Sequence, residues 1–448
     1  MCFLMPYANN IILHISCKTI GNVLKYLQPL LNHMVSKVLV VGNGAREHAI
    51  VKKLAQEDVE ITAVMAKLNP GIGKLSKRVE LIDINDPAKY VGFKDHELAF
   101  IGPEAPLAVG ISDTLIELGV TVAAPLKALA RLEWSKAYAR EVLDRNDIKG
   151  NPAFKICKTE DHVREFLDEY PEVAVKPDVL TGGKGVKVTG QHLLTQSETE
   201  AYAFDMIRND GLVVLEEKLI GKEFTLQAFV DGARLHYMPL VRDFKRAYDN
   251  DEGPNTGSMG SFSCADHDMP DLPEATISKA KGIMQETIDA VREEIGSFKG
   301  PIYGGFMVTE DDTYLIEYNC RLGDPEAINV LSLLETPLTE VGYGMANGKL
   351  PGISFSKKAT VCVYLVPEGY PMAPVKDWPI NIADGVQSEL YYASVYDDVG
   401  ITKTTGSRAV ALLAKGKSVT EARQKVYKDI DKITGRLHFR TDIAKDIP

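Results

Sequence analysis

The segment from Tyr314 to Glu326 (YLIEYNCRLGDPE) puts useful groups at alternate positions. Side chains two apart on a strand share a face. Glu317 and Asn319 therefore project together, with Arg321 on the same side if the strand continues and Tyr318 opposite. A carboxylate beside an amide oxygen suits Mg2+, because hard cations take oxygen ligands and leave positions for phosphate oxygens. Arg321 would then stabilise charge on a transferring phosphoryl group. Packing is a poor account of three polar groups on one strand face, since a buried charge must be paired.

A second constellation runs from Lys176 to Val186 (KPDVLTGGKGV). Lys176 ends a strand, a tip with Gly182, Gly183, Lys184 and Gly185 follows, and the chain re-enters a strand. The spacing is not that of a Walker A loop, which is followed by a helix. It suits a flap whose N–H groups and Lys184 close over phosphates while Lys176 reaches from the sheet. The alternative is a flexible hairpin tip, although three glycines there are costly unless close approach demands them. Glu216, Glu217 and Glu223 lie at a strand end and beyond, where carboxylates can bind ribose hydroxyls or an adenine amino group. Most glutamates are simply solvated.

Two earlier loops could take a substrate. Gly42-Asn43-Gly44-Ala45-Arg46-Glu47-His48 follows a strand and opens a helix, so backbone N–H groups could meet a phosphate. Glu47 stands where a dinucleotide fingerprint has its third glycine, and no acidic residue ends the second strand. Both points weaken a nicotinamide reading and leave a sugar-phosphate site or a structural turn. Gly102-Pro103-Glu104-Ala105-Pro106 follows another strand, and Glu104 could accept from sugar hydroxyls or be an exposed carboxylate on a rigid turn.

The elements that must hold these residues change character along the chain. Strands at Lys37–Val41, Ile61–Met65 and Leu98–Ile101 alternate with helices at Arg46–Gln56 and Ile111–Leu118, predicting a parallel α/β domain over 34–135. Leu126–Leu143 reads as one helical stretch. Strands at Val173–Lys176, Gly185–Thr189, Leu212–Glu216, Phe224–Val230 and Leu235–Val241 predict mixed or antiparallel sheet (α+β). A helix at Lys279–Ile295 and a hairpin, Ile302–Val308 with Thr313–Tyr318, complete a domain over 136–352. The remainder, 353–448, is β-rich with strands at Ala359–Val366 and Ala409–Ala414. Its late helix is capped by Ser418 and Glu421, with an apolar stripe Ala422, Val426, Ile430, Ile433 and a stop at Gly435.

With 448 residues, 45% hydrophobic and 25% charged, the chain is an ordinary globular protein of about two to four domains. The net charge of −11 disfavours a general nucleic-acid binder, and no apolar run approaches the ~18 residues of a membrane helix. Six scattered cysteines without a CxxC pair fit a reducing compartment. Residues 1–33 read either as a leader or as sequence upstream of a true start at Met34; they lack a basic n-region and a small-residue cleavage site.

Taken in order and spacing, Lys176 with the flap, Glu216-Glu217 with Glu223, and Glu317-x-Asn319 resemble the ATP-grasp superfamily. Seven strings resemble the glycinamide ribonucleotide synthetase family: Asn43–Ala49, Gly102–Leu107, Ser135–Ala137, Lys176–Val186, Asp243–Arg246, Gly253–Gly260 and Glu317–Glu326. The likeness runs from about Lys37 to about Ala444, and 1–33 has no counterpart. Ala45, Val179 and Ser258 stand where the family has glycine, and Phe244 where it has histidine. The resemblance implies a central ATP-grasp fold with a mobile flap at about 176–210, and a cytoplasmic, ATP- and Mg2+-dependent ligase (Mn2+ as a substitute). Its substrates would be glycine and 5-phosphoribosylamine, without nucleic acid or membrane, as a monomer or weak homo-oligomer. It implies Lys136 and Lys176 on the phosphates, Glu223 on the ribose, and Glu317 and Asn319 on the metal. The sugar phosphate would lie near Gly42–Glu47 and Glu104, with Asp243, Asn255 and Thr256 at the centre and Arg321 and Asp324 at the glycine end. Another ATP-grasp carboxylate–amine ligase or carboxylase of purine metabolism is the nearest rival.

Overall fold

The computed structural model describes residues 36–180 and 185–447. The expected leader and Gly182, Gly183 and Lys184 of the flap lie outside the described residues.

Five parallel strands form the N-terminal sheet: β1 Ser36–Val41, β2 Val59–Met65, β3 Arg78–Leu81, β4 Leu98–Ile101 and β5 Thr121–Val122, in the order β3-β2-β1-β4-β5. Val38 to Val41 are fully buried, as a strand covered on both faces must be. The chain leaves β1 for β2 on one side and returns to β4 on the other. The loops after β1 and β4 therefore open on one crevice, the place where such sheets take ligands. The helix after β1 spans Ala45–Leu54.

The stretch read as one helix over 126–143 is broken. Short helix Arg131–Trp134 ends at Ser135, which is extended at φ −125° and caps a new helix, Lys136–Arg145, by accepting from Tyr138 N. A serine oxygen competing for backbone donors favours a start over a continuation.

The central region holds two antiparallel sheets. The first has strands β6 Phe154–Cys157, β7 Val173–Pro177, β8 Lys187–Val188 and β9 Val213–Glu217, in the order β6-β9-β7-β8. With helices Glu160–Glu169 and Gln196–Asp210 it has its own core, including Val163, Phe166, Leu167, Val175 and Leu215, separate from the main one. The chain continues through β10 Lys222–Asp231, β11 Leu235–Tyr237, β12 Arg242–Asp243, the hairpin β13 Arg246–Tyr248 and β14 Glu252–Asn255, β15 Gly260–Ser263, β16 Lys299–Val308 and β17 Thr313–Asn319. The second sheet runs β11-β10-β16-β17. Helix Glu274–Glu294 packs on it, with Ile283, Met284, Ile288 and Val291 buried. In β17, Gly305 faces Glu317 while Phe306 faces Leu315, so Ile316 is one residue too many and the strand bulges.

The C-terminal sheet includes β12 and β15, followed by Ala359–Pro367, Val410–Gly416 and Glu389–Tyr392. A division at residue 352 is therefore crossed by this sheet, because backbone pairing of β15 with Ala359–Pro367 ignores chain order. The late helix spans Val419–Ile430 with Ser418 accepting from Glu421 N. Ile433 is not on its stripe; it lies in a short strand, Ile433–Thr434. Among the described residues no helix is long and apolar enough to cross a membrane.

The N-terminal and C-terminal domains meet at helix Ala45–Leu54. Tyr392 N donates to His48 Nδ1 (2.9 Å), and Lys52 Nζ stands 4.2 Å from the centre of the Tyr391 ring. Burial, reinforced by Lys52, pushes the His48 imidazole down to about 3, so it is neutral and can accept. The unfolded chain takes up that proton first as pH falls. The stability held by neutral His48 is complete above about pH 6.5 and is lost between there and pH 3. Moving from pH 7 to pH 5, the parent should lose about 2 kcal/mol more than His48→Gln. Urea unfolding of both proteins at the two pH values checks this; equal losses would remove His48 from the account.

Candidate active site

The crevice of the N-terminal sheet, the gap between the two central sheets and the edge of the C-terminal sheet meet in one cavity of about 460 Å3. Among the residues singled out in the sequence, it is lined by Arg46, Glu104, Lys136, Lys176, Glu223, Asp243, Asn255, Thr256, Glu317, Asn319, Arg321 and Asp324.

Lys176, at the end of β7, is buried. Its Nζ donates to Glu216 Oε2 (2.7 Å) and to the Ile316 carbonyl (3.1 Å). Arg140 grips the same carboxylate, Nε to Oε1 at 2.7 Å and Nη2 to Oε2 at 2.8 Å, and donates to the Leu315 and Ile316 carbonyls. The bulge in β17 lies at these carbonyls. Burial lowers the Lys176 pKa, with Glu216 opposing. Burial raises that of Glu216, but Arg140 and Lys176 outweigh it and hold the carboxyl below its ordinary value. Glu216 is thus occupied on both oxygens and does not line the cavity; it anchors the lysine that does. Glu217 also turns away, accepting from Ala153 N (2.8 Å).

Lys136 is the first residue of its helix because Ser135 starts it there. Asp178 holds this start to the base of the flap: Oδ1 accepts from Ala137 N (2.9 Å) and Oδ2 from Ser135 Oγ (3.1 Å). Lys136 Nζ donates to the carbonyl of Val179 (3.3 Å). At the foot of the flap the Gly185 carbonyl accepts from Tyr202 Oη (2.7 Å).

On the facing wall, Glu317 is exposed to the cavity and Asn319 stands beside it, while Tyr318 points away to Thr287 Oγ1 (2.8 Å). The alternation read in the sequence holds through Asn319. Arg321, beyond the strand end, donates to Asn319 Oδ1 (2.9 Å). Its Nε stands 3.0 Å from Glu133 Oε1 and 3.3 Å from Glu104 Oε2 without a well-aligned hydrogen bond. Glu104 would be raised by burial, yet Arg321 and Arg46 hold it below the usual value. Glu133 is raised by burial despite Arg321.

The loop after β1 is built differently from the expectation. Glu47 is 2% exposed, and its carboxylate accepts from Gly44 N (2.6 Å) and Arg46 Nε (2.7 Å). A Cβ on Gly102 would lie 1.9 Å from Glu47 Oε1, so the glycines make room for a buried carboxylate. Gly42 (φ +118°), Gly44 and Glu47 are therefore internal to the turn, and Asn43 faces Ala66 and Asn69. None of the four lines the cavity. Only Arg46 reaches it, with Nη1 on the Leu322 carbonyl (3.1 Å).

At the third wall, Asp243 and Lys245 stand on and just after β12, and Lys245 pairs with Glu223. Burial raises Asp243, Lys245 opposing. Thr256 Oγ1 donates to the Lys245 carbonyl (2.8 Å). The departure Ser258 adopts φ +86°, the conformation its glycine counterpart would take freely. Its hydroxyl donates to the Gly260 carbonyl (2.8 Å), a local bond that offsets part of the strain. Phe244 packs against Phe262 under the Arg440 guanidinium. Asp324 is held by Arg408 (3.2 Å) and Tyr364 (2.5 Å) from the C-terminal domain.

Sequence reasoning missed Arg140, Glu133, Lys245, Tyr303, Glu326 and Arg408. Lys245 and Glu326 sit inside quoted strings and could have been found; Arg408 carries no local signal.

The two facing sheets, with Lys176 on one, a carboxylate–amide pair on the other and Lys136 at a helix start beside them, define an ATP-dependent ligase of the ATP-grasp class. Models described as phosphoribosylglycinamide synthetase match the chain in three parts: the N domain over residues 36–133, the ATP-grasp (A) domain over 134–327 and the C domain over 360–446. A phosphoribosylamine–glycine ligase of Methanococcoides burtonii is 45% identical over 414 residues, covering 91% of this chain and 96% of the relative. That of Methanosarcina acetivorans is 43% identical over 92% of this chain and 95% of its own. A crystal structure of phosphoribosylamine–glycine ligase from Thermotoga maritima superposes with a TM-score of 0.78 at 30% identity, covering 91% of this chain and all of that one. The chain belongs to the phosphoribosylglycinamide synthetase family. ATP and a divalent metal come with that membership.

Removing Glu216 would leave two buried cations unpaired. Glu216→Ala should cost about 3–5 kcal/mol of stability and weaken ATP binding together. Unfolding midpoints and equilibrium nucleotide binding check this; ATP affinity unchanged in a folded variant would disconnect Glu216 from Lys176 function.

Proposed function

We propose that the protein ligates glycine to 5-phosphoribosylamine, giving glycinamide ribonucleotide, ADP and phosphate, in de novo purine biosynthesis. The observation that carries the reading is the single cavity shared by Lys136 and Lys176, the Glu317–Asn319 pair, and the N-terminal residues Arg46 and Glu104. Nucleotide and sugar phosphate would then meet in one chamber.

A carboxylate is a poor acylating agent, and phosphorylation supplies its leaving group. The glycine carboxylate oxygen attacks the γ-phosphorus of ATP, ADP leaves, and glycyl phosphate forms. The amine of 5-phosphoribosylamine then attacks the acyl carbon and phosphate leaves. Lys136 and Lys176 hold the nucleotide phosphates and Glu223 the ribose. Lys245, which occupies Glu223 here, would have to share it. Arg321 and Asp324 hold the glycine end, and Arg46 with Glu104 the sugar phosphate. Asp243, Asn255 and Thr256 line the centre.

The residues fit a hard divalent ion. Glu317 forms no ion pair among the described residues and faces the cavity; Asn319 turns its Nδ2 to Glu317 Oε1 (3.4 Å) and its Oδ1 to Arg321, so the amide would have to turn to give the ion a second oxygen. Two protein oxygens leave the remaining positions to phosphate oxygens and water. Bound there, the ion would neutralise charge on the phosphates. Magnesium is the proposed ion, with manganese able to replace it; the location proposed is the cytoplasm and the assembly a monomer or weak homo-oligomer. The flap residues Gly182, Gly183, Lys184 and Gly185 are proposed to cover the phosphates and keep water from the acyl phosphate.

Two measurements test this. ADP release should require both 5-phosphoribosylamine and glycine, and bicarbonate or formate should not replace glycine; release with either of those and not with glycine would transfer the protein to the rival reading. Glu317→Ala should lower turnover at least about a hundredfold with the fold retained, since metal-borne charge stabilisation amounts to several kcal/mol. Near-normal rates would take Glu317 out of the site.

A further inference from the structure

Seven carboxylates line the cavity. Four are in ion pairs: Glu104 and Glu133 with Arg321, Glu223 with Lys245, and Asp324 with Arg408. Glu317 is assigned above to the metal. Asp243 and Glu326 remain, without an ion pair among the described residues.

Of these two, Glu326 is the more deeply set. It is the first residue of helix Glu326–Leu333 and only 3% exposed, yet it lines the cavity. No side chain among the described residues donates a hydrogen bond to its carboxylate. A Cβ on Gly323 would lie 2.3 Å from Glu326 Oε2 and 3.0 Å from Tyr303 Cε2, so the glycine at 323 lets this carboxylate and the tyrosine ring close over the backbone. A buried carboxylate whose one donor is its own backbone N–H remains costly unless it is neutral or meets a ligand. The second half of the reaction needs such a group. When the amine attacks the acyl phosphate, its nitrogen becomes positive and must lose a proton.

We infer that Glu326 is the base that takes the proton from the attacking amine of 5-phosphoribosylamine. The N–C bond forms at the glycyl carbon, and the C–O bond to phosphate breaks with its electron pair leaving on phosphate. The proton moves from nitrogen to a Glu326 oxygen and then passes to the departing phosphate or to water. The inference rests on the ligase reading above.

The charged and titratable groups facing Glu326 are Asp243, Lys245, Asp324, Tyr303, Arg408 and Cys362. Burial first, then Asp243, pushes the Glu326 carboxyl up to about 7, with its own backbone N–H and then Lys245 opposing. A base with that value is half ionised at neutral pH, where a proton acceptor is most effective. The basic form is lost as pH falls below it.

The experiment separates the two halves of the reaction. Hydroxylamine captures acyl phosphates in free solution without a protein base, so glycyl hydroxamate reports the first half alone. Glu326→Gln should lower kcat for ligation about 10²–10⁴-fold, with hydroxamate formation and both substrate KM values within about threefold of the parent. Ligation within tenfold of the parent, or a parallel loss of hydroxamate, overturns the inference. The unsubstituted protein gives an independent readout if the variant does not fold. Its log kcat for ligation should fall with unit slope below about pH 7, while hydroxamate formation does not; coincident profiles overturn the inference. A parent that releases no ADP with glycine and 5-phosphoribosylamine together would instead defeat the ligase reading itself.

Discussion

A lysine ammonium cannot be held out of water beside a nucleotide site unless something nearby carries the opposite charge and fills its remaining donors. Glu216 does this for Lys176, and Arg140 keeps Glu216 from being a lone buried anion on any other terms. The cluster draws on β7, β9, the helix Lys136–Arg145 and two carbonyls of β17. It therefore fixes the first central sheet, which has its own core, against the second. The extra residue in β17 lies where those carbonyls meet Arg140 and Lys176. Such a cluster contributes little net stability, because desolvation offsets attraction. Its effect is registration: the lysine can sit in one place only.

The same device recurs around the cavity. Arg321 links Glu104 of the N-terminal domain, Glu133 before the helix break and Asn319 of β17. Arg408 ties Asp324 to the C-terminal domain and stacks on Tyr364 at 4.4 Å. Each domain lends a charge that another domain neutralises, so the cavity wall is complete only when all three are packed. Carboxylates outside these pairs are the ones free to meet a cation or a proton.

The N-terminal loop shows why glycine patterns mislead when read alone. Close approach is needed there, as the glycines suggest, but what approaches is Glu47 of the same loop. Its carboxylate occupies the donors that an anionic ligand would have taken, leaving Arg46 as the group presented outward.

Local chemistry was legible without coordinates wherever one element carries the whole signal. The apolar run of β1, the alternation of Glu317 and Asn319, and a lysine ending β7 before a glycine-rich tip depend on strand periodicity and turn preferences, which act over a few residues. Other features required partners far along the chain. The occupation of Glu216 and Glu47, the joining of β12 and β15 to strands a hundred residues later, and the arrival of Arg408 beside Asp324 arise from packing and backbone pairing, which are indifferent to sequence distance. Seven short strings were enough to bring the chain beside a known family, and the reaction came with that resemblance; which carboxylates are tied up and which remain available was decided by the charges that folding brings within a few ångströms.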